Sequence, residues 1–285
     1  MIDCKCSIVI PAKNEASSIK ALVEDLFELV KPLEVIVVDD GSTDNTGELA
    51  AAAGAKVCRH VYSKGNGAAI KTGARAATSE VLIFMDGDGQ HSARDVLHLL
   101  GKYNEGYDLV VGAREKVSQA NYWRGFANGV YNRLASYMTG YHVADLTSGF
   151  RVANAAKFRE FLYLLPNGFS YPTTSTMAFF RAGYSVKFET IEVKKREGKS
   201  HIKLFRDGIR FFLVIFKIGT LYSPLKIFFP VSCGFFAAGL SYYLFTFITA
   251  SRFTNMSMLL MSSAVIIFLI GLISEQITNL MYKGE

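Results

Sequence analysis

Asp86, Asp88 and Gln90 alternate just past a short apolar run, Val81 to Met85. Carboxylate and amide oxygens at this spacing suit a hard cation such as Mg2+ or Mn2+, which also takes phosphate oxygens from a ligand. The apolar run reads as a buried strand. If the chain stays extended beyond it, alternate residues point to one side. Three oxygen-bearing groups then face one spot at the carboxyl end of a strand, where open α/β sheets bind ligands. An isolated Asp-x-Asp has a blander reading, an acidic turn bent by Gly87 and Gly89.

Two further strand ends carry acidic or amide groups. Pro11-Ala12-Lys13-Asn14-Glu15 follows a first strand, Cys6 to Ile10, which Pro11 is expected to end. Asp39-Asp40-Gly41-Ser42 follows a second, Val35 to Val38. Adjacent strand ends line one crevice, so the three stretches can converge on a ligand. Acidic groups suit ribose hydroxyls and base N–H donors. They repel a pyrophosphate unless a cation intervenes, the task assigned to Asp88 and Gln90. Together the stretches point to a metal-bound sugar nucleotide. Gly65-Asn66-Gly67-Ala68-Ala69-Ile70 is only loosely like a dinucleotide fingerprint. It follows the third strand instead of the first and reads as a loop opening a helix, with Lys64 within reach of a ligand. His91 reads as a helix cap or a core-bonding residue.

The elements that must position these groups alternate. Helical spacing runs over Ala16 to Val30, with Ile19, Leu22, Val23, Leu26 and Phe27 on one face, and helices are expected from Thr46, over Gly67 to Ala77 and over Ala93 to Tyr103. Further strands are expected at Lys56 to Val61 and Leu109 to Val111. This alternation predicts an α/β fold with a mostly parallel sheet covered on both faces. Beyond Arg114, helices are expected at Trp123 to Met138 and Tyr171 to Ala182. A strand is expected at Ser185 to Val193, and a polar loop or strand at Asp145 to Val152. Ile202 to Leu221 mixes apolar and basic residues and reads as an amphipathic helix lying in a membrane interface.

The chain has 285 residues, half of them apolar and 20% charged, with a net charge of +6. Neither Ile227 to Ser251 nor Phe253 to Ser274 contains a charge, and each exceeds the ~20 residues that cross a bilayer. Only Arg252 separates them, so they read as a transmembrane hairpin. Lys194, Lys195, Arg196, Lys199, Lys203, Arg206, Arg210 and Lys217 precede the first span. The positive-inside rule puts that side, and both termini, in the cytoplasm. The basic run adjoins a membrane, so nucleic acid is not the expected partner. The N-terminus lacks the apolar core of a signal peptide, which also keeps the first 200 residues cytoplasmic. Cys4, Cys6, Cys58 and Cys233 show no zinc spacing and are expected as reduced thiols. A homo-oligomer is compatible with this layout. The expected organisation is a catalytic domain over 1–200, an interfacial helix over 201–222 and a two-helix hairpin over 223–285.

Ile8-Val9-Ile10-Pro11-Ala12-Lys13-Asn14-Glu15, Val37-Val38-Asp39-Asp40-Gly41-Ser42-Thr43-Asp44 and Met85-Asp86-Gly87-Asp88-Gly89-Gln90-His91 resemble family 2 glycosyltransferases of the GT-A fold. Val111-Gly112-Ala113-Arg114, Asp145 through Arg151 and Arg196-Glu197-Gly198-Lys199-Ser200 narrow the resemblance to the polyprenyl-phosphate glycosyltransferases, the dolichol-phosphate mannose synthase group. The resemblance implies that Pro11, Asn14, Glu15, Asp39 and Asp40 hold the nucleoside. Asp86, Asp88 and Gln90 would hold Mg2+ or Mn2+ and the donor diphosphate. Arg114, Arg124, Ser148, Arg151, Arg196, Ser200 and Lys203 would surround a lipid phosphate, with Asp88, Arg114 and Arg151 closest to the reaction. Lys13 and His201 depart from the family's commoner residues.

Chemistry supports the narrower group. A sugar hydroxyl needs a general base, whereas a phosphate monoester is already largely ionised at neutral pH. Thr147-Ser148-Gly149 stands where the family's polymer synthases carry an acidic pair, and their Gln-x-x-Arg-Trp signature is missing. Asp145 is expected to orient Arg151 through a charge-assisted bond. The expected activity is inverting transfer of a hexose, from a GDP-mannose or UDP-glucose type of donor, to dolichyl or undecaprenyl phosphate. Two alternatives are a membrane synthase acting on a saccharide hydroxyl and a non-catalytic sugar-nucleotide-binding scaffold.

Overall fold

The computed structural model describes residues 5–114, 122–168, 170–191, 216, 219–220 and 222–282, and of 122–128 and 282 the backbone alone. The chain divides into two compact units, Met1–Ile202 and Lys203–Glu285.

The first unit alternates β1 (Cys6–Ala12), α1 (Ile19–Leu29), β2 (Glu34–Asp39), α2 (Thr46–Ala52), β3 (Lys56–Arg59), α3 (Asn66–Ala76), β4 (Val81–Phe84), α4 (Ala93–Tyr103) and β5 (Leu109–Arg114). Then come α5 (Tyr122–Thr139), β6 (Arg151–Asn154), α6 (Ala155–Glu160), α7 (Tyr171–Arg181) and β7 (Val186–Ile191). The strands form one sheet in the order β3-β2-β1-β4-β6-β5-β7. All pairings are parallel except those of β6, which is antiparallel to both β4 and β5. This is the mostly parallel α/β sheet that the alternation predicts.

One face of the sheet packs α1 and α4. Ile19, Leu22, Val23 and Leu26 of α1 meet Ile8, Ile10, Val35 and Val37 of the strands, together with Val96, Leu99 and Leu100 of α4. Their spacing is the apolar stripe of an amphipathic helix. α3 covers the opposite face over β1 and β2. The start of α4 is fixed by a capping box, in which Ser92 and Asp95 satisfy each other's backbone N–H groups.

β1 does not end at Pro11. It continues to Ala12, with Pro11 in register opposite Val38. Ala12 O accepts from Asp40 N on the β2 side, whereas Val9 O accepts from Met85 N on the β4 side. Backbone groups alternate, so the nitrogen of Pro11 faces β4. There the paired register stops at Val9 and Phe84, and a missing donor costs no ladder bond.

The second unit holds α8 (Leu225–Ala250) and α9 (Asn255–Tyr282), both long and apolar enough to cross a membrane. Ser251 in the left-handed conformation closes α8. Ser232 Oγ donates to Ala264 O at 2.8 Å, tying the two helices together. Glu275 accepts from Ser223 Oγ at 3.3 Å and Leu225 N at 3.2 Å, so its carboxylate sits at the N-terminus of α8. Nearly all of the expected interfacial helix lies outside the described residues.

Candidate active site

The carboxyl ends of β1, β2 and β4 lie side by side, and their loops are bonded together. Asn14 N donates to Ser42 Oγ at 3.0 Å, Asn14 Oδ1 accepts from Thr43 N at 2.9 Å, and Glu15 N donates to Thr46 Oγ1 at 2.9 Å. Asn14 takes a left-handed φ of 57°, a conformation its short polar side chain tolerates. Ser18 Oγ donates to Gly87 O at 2.7 Å and pins the loop after β4 to the start of α1.

Asp39 and Asp40 are buried and engaged within the protein. Asp39 accepts from Ser42 N at 2.9 Å and from Arg59 Nε at 3.0 Å. Burial alone would raise its pKa, but these bonds outweigh it and hold the carboxyl below its ordinary value. Asp40 accepts from His60 Nδ1 at 2.7 Å, Ser63 Oγ at 2.8 Å, Lys64 N at 2.8 Å and Gly65 N at 2.9 Å. It thereby shapes the loop between β3 and α3. Burial again opposes ionisation, yet the bonds from His60, Lys64, Ser63 and Gly65 bring its pKa down to about 2, from 3.8.

A depressed carboxylate stabilises the fold above its unfolded pKa, and that contribution is lost as pH falls through the folded one. Asp40→Asn is therefore expected to cost of order 2 kcal/mol at neutral pH. The thermal midpoints of variant and parent should converge as pH drops from about 4 toward 2. A constant gap across that range would mean that the charge of Asp40 is not what matters.

The alternating triad does not stay extended. β4 ends at Phe84, and a turn runs through Gly87 and Asp88, where Asp88 Oδ1 accepts from Gln90 N at 3.2 Å. The bond is an Asx turn, which the two glycines permit and which replaces the strand's period of two. Asp86, Asp88 and Gln90 all remain partly exposed on this turn. No group of three or more His, Cys, Asp or Glu among the described residues is placed to hold a metal ion. Two carboxylates and an amide at one strand end still fit Mg2+, which usually takes one or two carboxylates and completes its shell with water and substrate phosphates.

Arg114, the last residue of β5, forms a forked pair with Asp145. Nε donates to Oδ2 at 2.8 Å and Nη2 to Oδ1 at 3.3 Å, and Nη2 also donates to Thr147 Oγ1 at 2.6 Å. Thr147 in turn donates from N and Oγ1 to Asp145 at 3.0 and 2.9 Å. Burial would push the pKa of Asp145 up, but the bonds and charge of Arg114, with Thr147, hold it below the ordinary carboxylate value. The guanidinium stays 35% exposed and feels Asp86 as well.

Asp145 thus orients Arg114, not Arg151, which overturns the expected pair. Arg151 lies on β6 opposite Phe84 and is fully buried. Nη1 donates to Pro172 O at 3.0 Å, Ser175 Oγ at 2.7 Å and Thr176 Oγ1 at 3.3 Å, and Nη2 donates to Ser148 O. The side chain ties the Ser148 loop to the first turns of α7, in the interior, although its charge still reaches Asp145 and Asp86. Arg151→Ala is expected to act through folding, at of order 3 kcal/mol, by leaving these carbonyls and hydroxyls unpaired in the interior. Thermal melting against acceptor KM checks this. A raised KM with an unchanged midpoint would restore Arg151 to the acceptor site.

Ser148 is buried beside Arg151. A Cβ on Gly149 would lie 3.2 Å from Tyr171 Oη, a tight contact, and 3.4 Å from Asp86 Oδ2, in ordinary contact with the carboxylate. The side chain of Arg124 and all of Arg196, Ser200 and Lys203 lie outside the described residues. The structure thus gathers Asp86, Asp88, Gln90, Arg114 and Asp145 at one end of the sheet. The Arg114–Asp145–Thr147 fork was not read from the sequence. Its signal was a carboxylate two residues before a hydroxyl, in a loop with a free choice between two arginines.

Residues 7–162 match the domain described as Glycosyl transferase family 2. The chain belongs to glycosyltransferase family 2. Residues 223–280 of this glycosyltransferase match the GtrB C-terminal hairpin, which covers the two apolar helices. It is 29% identical over 249 residues to the glycosyltransferase AglJ of Haloferax volcanii, covering 85% of this chain and 81% of the relative. It is 33% identical over 151 residues to the undecaprenyl-phosphate 4-deoxy-4-formamido-L-arabinose transferase of Yersinia enterocolitica, covering 50% of this chain and 46% of that one. Among solved structures, glucosyl-3-phosphoglycerate synthase of Mycobacterium tuberculosis superposes with a TM-score of 0.61 at 23% identity, over 76% of this chain and 79% of that one. That likeness shows the GT-A fold. The mycobacterial enzyme was crystallised with Mn2+ and UDP, and also with Mg2+ and UDP.

Proposed function

We propose that this glycosyltransferase moves a hexose from a nucleotide sugar to a polyprenyl monophosphate, with inversion. The observation that carries the reading is the state of Asp145. It is a carboxylate of the 145–151 loop, bound in a fork to Arg114 with a depressed pKa. A general base works best with a pKa near the operating pH, so Asp145 is poorly suited to deprotonate a sugar hydroxyl. A phosphate acceptor is ionised already and needs no base. The arabinose transferase of Yersinia, by its name, acts on such a lipid phosphate, and the hairpin at 223–280 supports a membrane acceptor.

In this reading the loops of Asn14, Glu15, Asp39 and Asp40 shape the nucleoside pocket, with Pro11 at its floor. Asp86, Asp88 and Gln90 hold Mg2+ or Mn2+, whose chemistry is to offset negative charge on the departing nucleoside diphosphate. Arg114 offers its remaining exposed donor surface to the incoming phosphate and lowers the repulsion between two anions. Arg124, Arg196, Ser200 and Lys203 are proposed to complete the phosphate site, with Ser148 supporting it from below. Arg151 is assigned to the scaffold. The basic run before α8 supports a cytoplasmic catalytic unit, with both termini on the same side, by the positive-inside rule. The donor is of the GDP-mannose or UDP-glucose type. The test is transfer of labelled sugar from a panel of GDP- and UDP-sugars to a short polyprenyl phosphate by the purified full-length protein. Binding without turnover on any lipid phosphate would favour the scaffold reading.

A further inference from the structure

His91 follows the cation turn directly and is 7% exposed. It does not cap α4, because Ser92 and Asp95 form that cap. Its ring stacks on Phe150, centroids 4.5 Å apart and planes 17° apart, which fixes the imidazole plane. Yet Nδ1 is buried and has no hydrogen-bond partner among the described residues. Leaving a buried polar atom unpaired costs enough that a native structure usually has a reason for it.

The charges that reach the ring narrow that reason. They are Asp88, Asp95 and Arg114, with Asp88 foremost. Asp95 is engaged in the cap of α4, and Arg114 in its fork with Asp145. Asp88 lies three residues before His91, across a bend at Gly89 whose φ of +70° turns the chain back on itself. Ser18 holds this bend at Gly87 O.

We propose that His91 is a positioning residue of the cation site, whose Nδ1–H hydrogen-bonds the Asp88 carboxylate when the cation and donor diphosphate bind. The bond fixes one oxygen of Asp88 while the other faces the cation, as outer-shell partners commonly do for carboxylate ligands. The proposal rests on the cation and donor sites proposed above. Phe150 supplies the wall that keeps the ring in plane, which links the loop before β6 to the geometry of the cation turn.

The test is calorimetric titration of UDP and of GDP into the full-length protein, with Mn2+ and with a chelator in its place. His91→Phe keeps the stack and the volume but removes the nitrogens. It should weaken Mn2+-dependent binding about tenfold or more and leave the chelator measurement unchanged. Asn places a polar group near Nδ1, and Gln near Nε2, so His91→Asn should retain binding within about threefold while His91→Gln loses it. In an Asp88→Ala background, His91→Phe should add no further loss. Equal binding by the parent and His91→Phe, equal binding by the Asn and Gln variants, or an undiminished His91→Phe effect without Asp88 would each overturn the proposal. Should His91→Phe fail to fold, the Asn and Gln pair still decides. If the parent binds neither nucleotide under any condition, the donor reading itself fails, and the positioning role goes with it.

Discussion

Asp88→Ala is expected to reduce sugar transfer at least about 100-fold, with the fold intact. Asp88 sits on a partly exposed turn past the end of β4, so its loss opens no core cavity. Its side chain accepts from Gln90 N at 3.2 Å, a bond local to the turn. The loss should appear mainly in kcat/KM for the nucleotide sugar, because on the proposed reading Asp88 would hold the cation that offsets the charge of the donor diphosphate. Melting curves of parent and variant should overlay. Transfer within a few-fold of the parent in Mg2+ or Mn2+ would remove Asp88 from the cation site and leave Asp86 as the ligand to test next.

The second large effect concerns the acceptor. A polyprenyl phosphate and the matching unphosphorylated alcohol share the same tail and differ in whether the nucleophile must lose a proton. A positioned general base contributes about 10²- to 10⁴-fold. An active site without one should therefore use the alcohol at least about 100-fold more slowly than the phosphate. Asp145 is the group that could undo this expectation. Its fork to Arg114 and its bonds from Thr147 occupy both oxygens and depress its pKa. Labelled donor supplied with each lipid in turn gives the answer. Comparable rates would show that a base operates and would return the chain to the hydroxyl-acceptor branch of the family.

The sheet was legible in the sequence because strand and helix periods differ and the apolar runs are clean. Val35 to Val38 and Ile19 to Leu26 could hardly be read otherwise, and both form the elements their spacing predicts. The loops were less legible, since side-chain bonds there compete with the period of the strand before them. Asp86, Asp88 and Gln90 alternate in sequence, but the Asx turn at Asp88 takes the backbone out of the extended state. Pro11 looked like a strand end, and only the neighbour's register shows why it is tolerated inside one. The pairing of Asp145 is a tertiary choice between two arginines six and thirty-one residues away. Strand pairing decides it, by burying Arg151 in β6 under α7 and bringing the end of β5 to Asp145. Nothing local in the sequence marks His91 as unpaired, because that property depends on Phe150 stacking over it.

The antiparallel β6 between β4 and β5 also governs the order in which the molecule can be assembled during synthesis. The half-sheet β3-β2-β1-β4 is complete once residue 84 has left the ribosome. β5 emerges next but has no partner, because its neighbours β6 and β7 are still to be made. Until Arg151–Asn154 arrives, β4 presents an open edge, the kind of surface that pairs with other chains. The proposed nucleotide side of the crevice, with Asn14, Asp40 and Asp86, therefore belongs to the part that can form early. Arg114 meets Asp145 only after the sheet is closed by β6. A nascent chain stalled before residue 151 should hold half of the candidate site and an unprotected strand, which makes this interval the one most in need of a chaperone.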